Sequence, residues 1–314
     1  MTAGAHPHRA ATAGVAAALG ATLIWGAQLP IAKGAYTAVD GITLTLVRYG
    51  VALPAFAALL AWREGPAALA ADRRGWLAAA AAGCALAGSL LCLFIGLSMT
   101  RPEVATIILA LQPAMTALAE WGRARRRPPA FTLACIVIAF VGVALVVTRG
   151  GAAFYEPAAI RGTETFGNLL VLCAAMLWVA YALLTPGMAG WSALRMSTLT
   201  SVPVLALIVL AWFVAHAFGG VRIEVAALLA ATWRFAYLSL LGVVVGMLLW
   251  NAGLQRIGAV DAMLLANMMP IVAFVYRAFE GVRYQPVELA GAALVVGALV
   301  ANSLSLRRGR KVPA

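Results

Sequence analysis

Two stretches of this chain place amides and prolines where an apolar segment has least use for them. Residues 107–121 read IILALQPAMTALAEW, with Gln112 and Pro113 adjacent at the middle. Residues 263–276 read MLLANMMPIVAFVY, with Asn267 and Pro270 near the centre. A proline within a helix removes a backbone donor and clashes with the preceding turn, costing roughly 3 kcal/mol or more. A buried amide without a partner costs about 1–3 kcal/mol in protein mutational data. Amides beside interrupted backbone can hold water or a polar solute by hydrogen bonds. They do not supply acid–base or nucleophilic chemistry.

Further polar and aromatic residues fall at comparable depth. Arg48, within an apolar run, suits a substrate carboxylate or a gating contact, unless it snorkels to the near interface or caps a helix end. Lys33, nearer the end of its run, fits snorkelling better. Trp25, Trp178, Tyr181 and Trp250 lie deeper than an interfacial belt requires. Their neighbours Gln28 and Asn251 favour a lined pocket over lipid-facing filler, because amides in hydrocarbon need partners. Glu120 has Arg123 at i+3, and Glu280 has Arg277 at i−3, spacings that suit local ion pairs.

Reactive constellations are absent from the sequence. There is no HExxH, no DDxxD-like acidic cluster, no GxxxxGK[ST] and no Ser/His/Asp set at membrane depth. Cys84, Cys92, Cys135 and Cys173 show no CxxC spacing and read as small packing residues. The three histidines are scattered. The expectation is therefore a non-enzyme without cofactor or metal.

The elements that must position these residues are membrane spans. The chain is 64% hydrophobic and 11% charged, with repeated apolar runs of about 20 residues, the length that crosses a bilayer core as helix. Ten spans are expected, near 13–35, 42–62, 75–98, 103–121, 130–148, 166–187, 195–216, 234–254, 260–279 and 286–306. The first run is alanine-rich and follows His8-Arg9, as a signal peptide would. It continues through Trp25 to Lys33, however, and reads better as the first span. The net charge of +12 falls between apolar runs, which points to topology and not to a nucleic-acid partner. Of the 23 Lys and Arg, fourteen fall on the side of the amino terminus, six on the other, and Lys33, Arg48 and Arg277 lie within or at the ends of spans. Both termini are thus expected in the cytoplasm of a multi-pass plasma or inner-membrane protein.

Pro270 follows Pro113 by 157 positions, half the chain, and the same offset brings Leu97 opposite Leu254, Ala105 opposite Ala262 and Pro129 opposite Pro286. Trp25 matches Trp178 at a slightly different offset. The chain reads as a duplicated five-helix unit, 13–148 and 166–306. Five is odd, so the second unit enters the membrane from the opposite side. An all-α integral membrane protein of ten helices in two inverted repeats is a transporter architecture that works by alternating access, with its site near the midplane.

The Trp25-Gly26 pair, the arginine in LVRYG, and the pattern of Leu, Ala and Pro at eight-residue steps through the third to fifth spans of each half resemble the EamA branch of the drug/metabolite transporter superfamily. The resemblance covers nearly the whole chain. It implies ten helices in two inverted repeats and export of amino acids, related metabolites or drugs, commonly linked to protons or to exchange. The family's Gly-Glu after span four is replaced by Arg125-Arg126, with Glu120 arriving early, and the second half has Glu280-Gly281 in reversed order.

The expected function is secondary export of small metabolites such as amino acids or their analogues. The alternatives are a multidrug or amphiphile carrier, or a channel or structural subunit. The candidate substrate cavity comprises Trp25, Gln28, Arg48, Gln112, Pro113, Trp178, Tyr181, Asn251, Asn267 and Pro270. Its partners are a small-molecule substrate, the lipid bilayer and protons as a coupling ion.

Overall fold

The computed structural model describes residues 6–124, 129–155 and 158–310. They are helical almost throughout: α1 (His6–Ala35), α2 (Gly41–Glu64), α3 (Arg73–Met99), α4 (Pro102–Leu109), α5 (Gln112–Ala124), α6 (Ala130–Thr148), α7 (Ala158–Leu184), α8 (Ala193–Ala217), α9 (Val225–Ala230), α10 (Thr232–Ala236), α11 (Gly246–Ala266), α12 (Met269–Phe279) and α13 (Pro286–Arg310). A π-helical stretch, Tyr237–Val245, joins α10 to α11. Among the described residues, seven helices are long and apolar enough to cross a membrane.

Helix starts follow the local chemistry. Asp40 and Asp72 accept hydrogen bonds from the first backbone amides of α2 and α3, and Ser192 does so for α8. Lys33 does not simply snorkel. Its Nζ donates to the carbonyls of Leu97, Ser98 and Thr100 at 2.9, 3.0 and 2.7 Å, so the cation caps the carboxyl end of α3.

Two span readings need correction. The connection expected near 255–259 is helical, because α11 runs unbroken from Gly246 to Ala266. The intervening LQRIGA contains no proline and a single glycine, so nothing in it stops a helix. The fourth span is not one helix but two, α4 and α5, separated by Ala110 and Leu111.

The helices gather into two compact units. One comprises residues 1–30, 101–165 and 249–314; the other comprises 31–100 and 166–248. Each therefore takes helices from both halves of the sequence. In the first unit α6 packs along α13, and α4 packs on α12 and α6. A Cβ on Gly142 would stand 2.6 Å from the Gly291 carbonyl oxygen, and one on Gly291 would stand 2.7 Å from that of Gly142. The second unit packs α2 and α3 against α8. There Gly96 of α3 and Gly167 of α7 make the same reciprocal approach, at 2.7 and 2.8 Å. Small residues allow such contact where lipid supplies no hydrophobic drive between helices. Ser89 adds an interhelical hydrogen bond to the Ala174 carbonyl at 2.8 Å.

Candidate functional site

The prolines occupy a position that the sequence alone does not reveal. Pro113 is the second residue of α5 and Pro270 the second of α12, each in a first turn where a missing N–H leaves no helical bond unmade. The interruption itself lies just upstream, at Ala110–Leu111 and at Asn267–Met268. These two breaks are offset by the same 157 positions as the prolines. Short turns bridge them: the Leu111 amide donates to the Ile108 carbonyl at 3.1 Å, and the Met268 amide to the Leu265 carbonyl at 3.0 Å.

Seven of the expected site residues fall in the first unit: Trp25, Gln28, Gln112, Pro113, Asn251, Asn267 and Pro270. Gly26 of α1 sits against α12, where a Cβ would lie 2.5 Å from Val272 Cβ and 3.0 Å from the Met269 carbonyl oxygen. That approach brings Trp25 beside the second break. Trp25 also meets Trp250 at 5.4 Å between ring centroids, next to Asn251. Gln28 and Asn251 are buried, and Gln112 is half-buried. Asn267 is 1% exposed, and among the described residues its Nδ2 has no hydrogen-bond partner. A donor aimed into apolar surroundings at a helix interruption is suited to a solute oxygen or a water.

The other three, Arg48, Trp178 and Tyr181, lie in the second unit. Arg48 is 2% exposed, which sets aside snorkelling. Its Nε donates to the Leu238 carbonyl at 3.2 Å, an acceptor supplied by the π-helical stretch. Its guanidinium carbon stands 4.2 Å from the centroid of Phe94. Trp178 and Tyr181 pair at 5.5 Å. The Tyr181 hydroxyl is buried, without a hydrogen-bond partner among the described residues.

A charged cluster at one end of the first unit escaped the sequence reading. Arg101 Nη1 reaches Glu288 Oε1 at 2.6 Å and Glu103 Oε1 at 3.8 Å. Arg277 pairs with Glu280, as the i−3 spacing suggested, and its Nε stands 3.7 Å from Glu103 Oε2. Glu103 and Glu288 are buried. Burial pushes the Tyr284 hydroxyl above its usual range, and the negative charge of Glu103 adds to this. The signal was present in the sequence, since both acids fall inside expected spans, where carboxylates are rare. The side chains of Glu120 and Arg123, and residues 125–126, lie outside the described residues.

The chain is 26% identical over 300 residues to an uncharacterized transporter, YrdR, of Bacillus subtilis (strain 168), covering 94% of this chain and 92% of that one. It is 26% identical over 213 residues to a second, YyaM, from the same organism, covering 67% and 68%. A crystal structure at 18% identity shares the fold, with a TM-score of 0.67 over 96% of this chain and 99% of that one. The model of the EamA-like transporter family matches twice, over residues 12–148 and 165–304. With both halves matched and the two helix breaks in register, the chain belongs to the EamA-like transporter family.

Proposed function

We propose that this membrane transporter is a secondary carrier that exports small metabolites, amino acids or their analogues first among them, by alternating access. The observation that carries the reading is the pair of interrupted spans 157 positions apart, one of them with a buried Asn267 whose Nδ2 has no hydrogen-bond partner among the described residues. Interrupted helices at membrane depth form where protein or a watery cavity satisfies the freed backbone, and carriers of inverted repeats bind solute at such breaks. We assign ten spans in two inverted repeats, 13–148 and 166–306, the eighth and ninth joined through the continuous helix α11 and not by a loop, with both termini in the cytoplasm of the plasma or inner membrane. The ends of the fourth, ninth and tenth spans that carry Arg101, Arg277 and Glu288 meet in one cluster, which supports an arrangement with those ends on one side. Catalysis forms no part of the reading.

In the first unit, Gln112 and Asn267 supply hydrogen-bonding amides, with Trp25, Gln28 and Asn251 beside them and Pro113 and Pro270 fixing the restart of each helix. In the second unit, Arg48, with Trp178 and Tyr181, supplies a cation and aromatic faces for a carboxylate-bearing solute. The Trp25–Trp250 and Trp178–Tyr181 pairs favour a second reading, in which an apolar amphiphile is the cargo.

A resistance screen separates the two. Cells overexpressing the chain are challenged with amino acids, toxic amino-acid analogues and cationic amphiphiles. Protection against analogues is expected, and protection against amphiphiles alone would favour the second reading. Gln112→Ala and Asn267→Ala should each stay monodisperse in detergent yet weaken the protection. For Asn267, loss of one hydrogen bond to solute, worth about 0.5–1.5 kcal/mol, corresponds to about a 2- to 12-fold weaker apparent affinity. Variants that lose thermal stability at unchanged affinity would instead make the amides ties between helices.

A further inference from the structure

The cluster of Arg101, Glu103, Arg277, Glu280 and Glu288 holds three carboxylates against two guanidiniums. Each arginine is already committed to another acid: Arg101 makes its close contact with Glu288 at 2.6 Å, and Arg277 makes its own with Glu280. Glu288 also accepts from the Gln285 amide at 3.0 Å. What remains for Glu103 is two long contacts, 3.8 Å to Arg101 and 3.7 Å to Arg277. Yet Glu103 is the most buried of the three acids, at 1% exposure, and among the described residues its Oε2 accepts no hydrogen bond.

The connection between α12 and α13 contributes Tyr284, whose hydroxyl donates to the Phe274 carbonyl at 3.3 Å. From α6 comes the Val146 carbonyl, which accepts from Arg101 at 3.2 Å. Arg149, at the end of that helix, pairs with Glu164 at 3.6 Å. One negative charge is thus left over, on the carboxylate least able to reach water.

We infer that Glu103 is a proton-binding site, the place where this carrier takes up a coupling proton. Protonating Glu103 neutralises the excess charge and leaves Arg101–Glu288 and Arg277–Glu280 as two matched pairs. Protonating either partnered acid would instead break a close charge-assisted contact, whereas Glu103 gives up only two long ones. The step is a plain acid–base exchange: the proton comes from water on the side that the site faces, bonds to a Glu103 oxygen, and leaves to water when the carboxylate re-forms.

The inference rests on the carrier reading, since a coupling proton needs a solute to move with. Its test uses no solute, so either can fail without the other. The full chain, reconstituted in phosphatidylcholine vesicles, is brought from about pH 8 to about pH 5, a range that spans carboxyl titration in buried sites. Infrared difference spectra record carboxyl protonation, and an indicator dye counts protons. The wild type should show a protonated-carboxyl band that is absent from Glu103→Gln, and should take up about one proton more per chain than that variant. Exposed Glu280→Gln should keep the band. Glu103→Asp, which keeps the carboxyl on a shorter side chain, should keep the band at a shifted frequency. Identical spectra and proton counts for wild type and Glu103→Gln would overturn the inference. Should Glu103→Gln fail to fold, Glu103→Asp decides, and a band that does not move with that substitution is equally fatal.

Discussion

Replacing Arg48 by methionine is expected to leave the protein folded, with unchanged or slightly raised thermal stability, while raising the half-saturating concentration of a carboxylate solute about 10- to 150-fold. The first part follows from burial. A guanidinium at 2% exposure gives up its hydration for protein contacts that include the Leu238 carbonyl and the face of Phe94. Exchanging buried charge for an apolar chain of similar length is often neutral or stabilising. The second part follows from the worth of a hydrogen bond to a charged group, about 1.5–3 kcal/mol, at about 1.4 kcal/mol per decade. Arg48→Lys should recover part of the loss, because it keeps the charge without the planar fork. The check is saturation of flux beside unfolding temperature in detergent. A methionine variant with normal half-saturation would make Arg48 a strut between α2 and the π-helical stretch.

The other large effect is on folding. Gly291→Leu should abolish most of the monodisperse protein, and Gly142→Leu should do the same. At each position even a Cβ would meet the facing backbone carbonyl oxygen, at 2.7 and 2.6 Å, and Val295 crowds Gly142 further. Backbone cannot swing aside as a side chain can, so α6 and α13 must part. Overpacking in a core costs about 1–3 kcal/mol when neighbours can shift, and here the contact itself supplies the association of the two helices in lipid. Gly297 lies on the same helix with nothing within 4 Å of its Cβ position. Gly297→Leu is therefore the control, expected to purify like the wild type. Size-exclusion profiles of the three variants decide it, and equal yields would show that α6 and α13 are not pinned together by these glycines.

Much of this was legible in the residues. Apolar runs of bilayer length located most of the helices to within a few positions, because hydropathy reports the solvent directly. The two breaks were legible as a proline beside an amide in each half, although the proline marks the restart of a helix and the break precedes it. The continuous α11 was not legible, since a short polar interruption such as Gln255-Arg256 reads as a loop in hydropathy while remaining compatible with helix. Lys33 and Arg48 were both recognised as unusual, but a charge near a span end reads alike whether it meets water or a carbonyl. The Glu103 cluster was the hardest to foresee. Its members come from α4, α12 and α13 and the residues capping them, nearly 190 positions apart, and only folding brings them together.

The central claim is that the chain is a carrier with a saturable, alternating site, and counterflow tests it most directly. Purified full-length protein in sealed vesicles is preloaded with an unlabelled solute identified by the resistance screen, and entry of the labelled solute is followed. A carrier predicts an initial rate that saturates with outside concentration and transient accumulation of label above equilibrium when the vesicles are preloaded. A rate that stays linear in concentration and indifferent to preloading would contradict the account and identify a channel.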